Sequence, residues 1–174
     1  MARGYAATTV DAICEKAQLT KGSVYYFFDS KEDLGLAVLA WSIGRGLQML
    51  ANGPYVRMMD PVEKAFAFLE HLERCSPEVW RGGCLLGSFS LELAETNSRM
   101  QQAVAGMFQS VADYFAEQLQ PIAAQCAGKQ APTASDLADT LLGSVEGPSY
   151  SPKPIVIRAA FPRPSGVFDS HWLR

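Results

Sequence analysis

The chain has 174 residues, 48% of them apolar and 19% charged, and a formal net charge of -3, which is ordinary globular composition with material for one good core or two small ones. No apolar stretch approaches the roughly 18 to 20 residues that span a bilayer, and the amino terminus lacks the charged, apolar, small-residue order of a signal peptide, so a cytoplasmic protein without a membrane partner is expected. Cys14, Cys75, Cys84 and Cys126 stand singly without CxxC spacing, which argues against a zinc site or a disulfide framework.

Thr8-Thr9-Val10-Asp11 reads as a capping box, with a threonine oxygen accepting from a helical N–H and a carboxylate answering back. Val10, Ile13, Cys14 and Ala17 then form one apolar stripe, which ends at Gln18 after two turns. Thr20 caps a second short helix with Val24 and Phe28 on its inner side. That helix stops near Asp29, because Ser30-Lys31-Glu32-Asp33 starts a third, which runs through Leu34, Val38 and Trp41 to about Met49.

Asn52-Gly53-Pro54 breaks the pattern, and Asp60-Pro61-Val62-Glu63 restarts it with proline at the first helical position. The stripe of Val62, Phe66, Leu69 and Leu72 is expected to end at Ser76-Pro77. Gly82-Gly83 precedes an apolar run from Cys84 to Ala94. Ser98-Arg99-Met100-Gln101 caps a long helix carrying Val104, Phe108, Val111 and Phe115, with a kink expected at Pro121. After a loop at Gly128 to Thr133, the apolar positions Leu137, Leu141, Leu142 and Val145 support one more helix. Residues 148–174 hold five of the ten prolines and read as an extended tail, with a short strand at Ile155 to Ile157 as an option. The fold class is all-α: an N-terminal unit over 1–40, a helical domain over 41–147 and the proline-rich tail.

Two short helices around a tight turn have the helix-turn-helix layout that enters a major groove. They also fit a plain αα-hairpin, and spacing alone does not choose between the two. Charge speaks against DNA at first sight, since residues 1–34 carry four basic and five acidic side chains. Phosphate contacts, however, depend on placed cations, backbone N–H groups and helix N-termini rather than on sums. Tyr25, Tyr26 and Phe27 fan away from the Val24/Phe28 face at about 100° per residue. Lys21 and Lys31 open successive helices, and Gly22 and Ser23 leave room for close approach.

The stretch GYAATTVDAICEKAQLTKGSVYYFFDSKEDLGLAVL, Gly4 to Leu39, resembles the DNA-binding domain of the tetracycline-repressor (TetR) family. The likeness joins a Gly-Tyr, a Thr-Thr-Val, a Lys-Gly-x-hydrophobic-Tyr-x-x-Phe and a Ser-Lys-Glu. The resemblance implies a ligand-responsive transcriptional repressor whose partners are a double-stranded DNA operator and a small-molecule effector, and which is a homodimer where its C-terminal helices are intact. It places Lys21, Gly22, Ser23 and Tyr25 at bases or nearby backbone, and Thr9, Tyr26 and Lys31 on phosphates, with Thr20 at the same helix start. Phe27 stands where the family often has histidine.

Arg81 to Glu95, RGGCLLGSFSLELAE, is similar to the electrophile-responsive branch of that family. Cys84, after two glycines at a helix start with Arg81 nearby, is read in two ways: as a reactive thiolate favoured by the end-dipole and the cation, or as a small buried hydrophobe. Phe66, Trp80, Phe89, Phe108 and Tyr114 likewise either line an effector pocket or fill a core. No GxSxG, Walker loop, HExxH or GxGxxG occurs, so no enzyme, cofactor or metal is expected.

The resemblance also implies a helix before Gly4-Tyr5, where three residues stand, so Val10, Ile13, Val24 and Phe28 are expected to lack cover. A start codon placed too far downstream would account for this. Pro148, Pro152 and Pro154 interrupt the continuation expected after Leu141 to Gly147, in the helices that carry the dimer interface in that family. The second reading is therefore a helical ligand-binding or protein-interaction remnant that no longer binds DNA.

Overall fold

A computed structural model describes residues 4–79, 83–93, 97–126, 128 and 131–146. Trp80, Arg81 and the option of a strand at Ile155 to Ile157 lie outside them. The described residues form seven α-helices and one 3-10 turn: α1 Val10–Ala17, α2 Lys21–Phe27, α3 Lys31–Ala51, the 3-10 turn Pro54–Arg57, α4 Pro61–Val79, α5 Leu85–Leu93, α6 Ser98–Ala123 and α7 Ala134–Glu146. The chain divides into two compact units, Met1–Arg45 with Gly82–Gln109 and Gly46–Arg81 with Ser110–Arg174. Helices α3 and α6 each contribute residues to both.

Capping fixes most of the helix starts. Thr9 Oγ1 accepts the Ala12 N–H at 3.1 Å, but the reciprocal half of the expected box is absent, because Asp11 sits too early in α1 to reach back and pairs instead with Lys21 at 2.8 Å. Gln18 closes α1 in the left-handed region at φ 57°, and the next helix is capped by Thr20 Oγ1, which accepts from the Ser23 N–H at 3.1 Å. Ser30 Oγ takes the Asp33 N–H at 3.1 Å. The α6 cap is Asn97, one residue before the expected Ser98, since its Oδ1 accepts from the Met100 N–H at 3.0 Å. Thr133 and Asp136 form a full reciprocal box at α7: Oγ1 accepts the Asp136 N–H at 3.1 Å, and the carboxylate accepts the Thr133 N–H at 2.8 Å.

Two helices outrun the sequence reading. Helix α4 continues past Ser76-Pro77 to Val79. Proline at 77 has no N–H for the Glu73 carbonyl one turn back, and Ser76 Oγ donates to that carbonyl instead, at 2.8 Å. Helix α3 corrects the expectation that no stretch reaches bilayer length: it is 21 residues long, and with a mean hydropathy of 1.3 over its most apolar 18-residue window it is long and apolar enough to cross a membrane. The reason is that Arg45 is the one charge between Asp33 and Ala51. Its leucines serve protein cores here, Leu39 and Leu50 both being buried.

In the first unit, Val10, Cys14 and Val24 pack together and remain 9%, 6% and 7% exposed, so Val10 and Val24 are covered, while Ile13, which was also expected to lack cover, stays half-buried. Phe28 and Leu34 lie half-buried against it. Apolar surface is nonetheless left unfilled beside it, in a cavity of about 180 Å3 bounded by Tyr5, Ile13, Leu34, Val38, Leu85 and Phe89 among others. The second unit has the larger core, in which Leu50, Tyr55, Phe66, Phe68, Leu69 and Leu72 meet Phe115, Leu119, Ala138, Leu141 and Val145.

Candidate functional site

The turn between α1 and α2 is three residues, Gln18 to Thr20, and α2 is two turns long. Val24 is therefore the single α2 residue that points inward to full burial. What remains of the helix surface is open: Tyr25 is 48%, Tyr26 81% and Phe27 75% exposed. The rings of Tyr26 and Phe27 meet edge to face with centroids 4.9 Å apart. Folding gains little from leaving three rings in water, since apolar burial is what such side chains contribute. This aromatic face is therefore free for another surface, with both phenols able to donate.

Thr9, Thr20, Lys21, Gly22, Ser23, Tyr25 and Tyr26 are all exposed, and Lys31 is half-buried. A Cβ added at Gly22 would meet nothing nearer than Thr20 Oγ1 at 3.7 Å, so the bare backbone at the start of α2 faces open space. Thr20 and Ser23 share a hydroxyl–hydroxyl hydrogen bond of 2.9 Å. Only one hydroxyl hydrogen is consumed there, which leaves the other for a partner.

Both lysines are engaged within the chain. The Lys21 ammonium pairs with Asp11, and that hydrogen bond, ahead of the charge itself, holds Lys21 above its ordinary range. The Lys31 Nζ donates to the Ala6 carbonyl at 3.3 Å and stands 4.3 Å over the Tyr5 ring. The Tyr5 phenol is pushed up, first by burial and then by the nearby Glu32 and Asp33 charges.

That Gly4–Ala6 segment is held from α5. The Glu92 carboxylate accepts the Tyr5 N–H at 3.1 Å and the Ala6 N–H at 2.8 Å, while the Tyr5 and Phe89 ring centroids lie 4.8 Å apart. From α6 comes a second tie: Arg99 Nη2 donates to Asp33 Oδ1 at 2.7 Å, and Asn97 donates to Glu32 at 2.5 Å. The Asp33 carboxyl is held below its usual range, first by Ser30 and then by Arg99. Sequence reasoning missed Tyr5, Glu92, Asn97 and Arg99 as parts of this arrangement. Their partners lie 65 to 87 residues away in the chain, and no local spacing announces them.

The residues named for an effector divide. Cys84, Phe89 and Phe108 belong to the first unit, Phe66 and Tyr114 to the second, and Trp80 lies outside the described residues. Cys84 is buried, and its Sγ accepts the Gly87 N–H at 3.3 Å. Phe66 is buried in the second core and Tyr114 packs against it. The Tyr55 hydroxyl donates to the Leu50 carbonyl at 2.8 Å and meets the Tyr114 hydroxyl at 2.9 Å. Among the described residues no three His, Cys, Asp or Glu side chains gather as a metal would need.

The chain and its fold have counterparts among known proteins. The profile of "Bacterial regulatory proteins, tetR family" matches residues 1–38, and that of the "Transcriptional regulator LmrA/YxaF-like, C-terminal domain" matches residues 61–150, more than half of the chain. An uncharacterised HTH-type transcriptional regulator from Lactococcus lactis subsp. lactis is 23% identical over 145 residues, which cover 82% of this chain and 74% of that protein. The transcriptional regulator AcuR of Cereibacter sphaeroides is 26% identical over 62% of this chain, and the match spans half of AcuR's own length. Among solved structures, AibR in complex with isovaleryl coenzyme A and operator DNA superposes with a TM-score of 0.62 at 21% identity, covering 88% of this chain and 80% of that one.

Proposed function

We infer, starting from a chain that belongs to the tetR family of bacterial regulatory proteins, that it is a cytoplasmic transcriptional repressor which binds operator DNA through α1 and α2 and is released by a small molecule. The observation that carries the DNA-binding assignment is the exposed α2 face, with Tyr25 and Tyr26 in water, a bare backbone at Gly22, and Lys21 and Lys31 at successive helix starts. Lys21, Gly22, Ser23 and Tyr25 are placed at base edges and nearby backbone. Thr9, Thr20, Tyr26 and Lys31 are placed on phosphates, where hydroxyls, phenols and ammonium groups serve as donors. Residues 1–40 act as the DNA-binding domain. Residues 41–147 serve effector binding and pairing into a homodimer, which would present two copies of α2 to a two-part site.

Binding of a small molecule as well as DNA is supported by a structural relative, AibR, whose structure is in complex with isovaleryl coenzyme A and operator DNA; release from the operator is this reading's own further step. For this chain the aromatic residues Phe66, Phe89, Phe108 and Tyr114 suit a small apolar or aromatic effector.

Fluorescence anisotropy of a labelled duplex from beside the gene, titrated with the chain at several salt concentrations, tests the assignment. A Lys31→Gln variant should weaken binding to all duplexes alike and lower the slope of log K against log salt by about 0.9. A Ser23→Ala variant should change preference among duplexes and leave the slope unaltered. An unchanged slope in Lys31→Gln would remove Lys31 from the phosphate contacts.

A further inference from the structure

We propose that Tyr5 is a positioning residue for the DNA contact of Lys31: its ring face and the neighbouring Ala6 carbonyl cradle the Lys31 ammonium, so that it meets a phosphate oxygen already ordered. Lys31 opens α3, and its Nζ stands 4.3 Å from the Tyr5 ring centroid and donates to the Ala6 carbonyl at 3.3 Å. An ammonium has three N–H donors. The carbonyl takes one, and the ring face attracts the charge as a whole, so donors remain for an oxygen arriving from solvent.

Neither partner in this cradle is charged, and that separates Lys31 from Lys21. Lys21 is paired with the Asp11 carboxylate at 2.8 Å, and a phosphate must compete with that partner. Around Lys31 the acids are occupied elsewhere: Glu32 receives Asn97 and Arg99, and Asp33 receives Ser30 and Arg99. Burial and these same two charges push the Tyr5 phenol up, so the ring stays neutral. The Lys31 charge is therefore held in place without being cancelled. That is what a phosphate-binding lysine needs, because its long flexible stem otherwise loses rotamer freedom at the moment of binding.

The ring is itself fixed. Glu92 accepts the Tyr5 and Ala6 N–H groups at 3.1 and 2.8 Å, which sets the backbone that carries both ring and carbonyl. Phe89 meets the ring at a centroid distance of 4.8 Å. Gly35, one turn after Lys31 on the same face of α3, supplies the room, since a Cβ there would lie 2.9 Å from Tyr5 Cε2. The missing side chain at position 35 lets the ring lie against α3 within reach of the ammonium. That this arrangement serves DNA rests on the reading of Lys31 as a phosphate contact; the cradle does not.

The test is fluorescence anisotropy of the full chain with several duplexes over a salt series, run as a double-mutant cycle of Tyr5→Leu and Lys31→Gln. Tyr5→Leu removes the ring face and should weaken binding about fivefold on all duplexes alike. The slope of log K against log salt should stay unchanged, since the same phosphates are contacted. Tyr5→Phe keeps the face and should bind within about twofold of the parent. On the Lys31→Gln background Tyr5→Leu should change nothing further; a ring that merely supported the fold would weaken that background as well. Gly35→Ala crowds the ring off its seat and should copy Tyr5→Leu, so it decides the matter if Tyr5→Leu fails to fold. A Tyr5→Leu loss that persists on Lys31→Gln, or a Tyr5→Phe as weak as Tyr5→Leu, overturns the proposal. Proton NMR separates the two readings: the Tyr5 ring current should move the Lys31 ε-methylene signal upfield, and Tyr5→Leu should abolish that shift. The shift present while Lys31→Gln binds DNA like the parent would sink the phosphate role of Lys31 and leave the cradle standing. No shift, with Lys31→Gln weakened, would sink the cradle and leave the phosphate role.

Discussion

The Glu92 carboxylate offers the sharpest energetic test of how the first unit is held together. It receives two backbone N–H groups, from Tyr5 at 3.1 Å and Ala6 at 2.8 Å, across 87 and 86 residues of chain. A hydrogen bond to a charged group contributes about 1.5 to 3 kcal/mol when buried, and the partial exposure of this pair lowers the sum for both to about 2 kcal/mol. Glu92→Ala should therefore destabilise by about 2 kcal/mol. Gly4 reaches the same clamp from the other side, since a Cβ added there would run into the Glu92 carboxylate. Gly4→Ala can be accommodated only if that carboxylate moves off its two N–H partners, so it should cost about 1 kcal/mol in the wild type and close to nothing once Glu92 is alanine. The two changes thus form a double-mutant cycle with a coupling of about 1 kcal/mol. Urea unfolding midpoints for the four proteins, followed by tyrosine fluorescence, supply the numbers. Additive losses within about 0.3 kcal/mol would refute the shared clamp, and so would a Glu92→Ala protein as stable as the parent.

Other expectations concern single groups. Asp11→Asn removes an acid from the α2 surface and releases Lys21 from its 2.8 Å partner; DNA affinity should rise several-fold at low salt and the gain should shrink as salt increases, as anisotropy titration would reveal. Tyr55→Phe deletes a buried hydroxyl that donates to Leu50 and accepts from Tyr114, and should cost about 1 to 3 kcal/mol by thermal melting. Burial and the Tyr114 hydrogen bond raise that phenol, so it stays neutral through alkaline pH and an ultraviolet titration should find it ionising after the exposed tyrosines. Asp33 is depressed by Ser30 and Arg99. Its stabilising contribution is whole above the unfolded value of about 4 and is lost as pH falls from there through the lower folded value. Arg99→Gln should flatten the stability profile in that acid window and leave its shape near neutrality unchanged.

What could be read from sequence follows the range of the forces involved. Helix starts are decided by one side chain and an N–H two or three residues on, so Thr20, Ser30 and Asp60 were legible as caps from spacing alone, whereas the Thr8 to Asp11 box fell one residue short of the Thr9 cap. Pro77 misled because its missing donor is replaced by Ser76, whose hydroxyl reaches the orphaned Glu73 carbonyl at 2.8 Å; the rule that proline ends a helix assumes that no such substitute exists. The α2 surface was legible for a different reason. Four consecutive rings exceed what one inward stripe can bury, and Tyr26 at 81% and Phe27 at 75% exposure are that surplus. Sequence spacing had no access to the ties that hold this surface in register. Glu92 to Tyr5, Arg99 to Asp33 and Asn97 to Glu32 each join residues more than sixty positions apart, and each partner alone is an ordinary surface residue. The same limit hid His71. On α4 it has the look of a polar-face residue, and only the arrival of Met49 and Tyr55 from an earlier part of the chain buries it beside Cys75. Periodicity therefore locates the surfaces this chain presents, while the contacts that aim them belong to the tertiary fold.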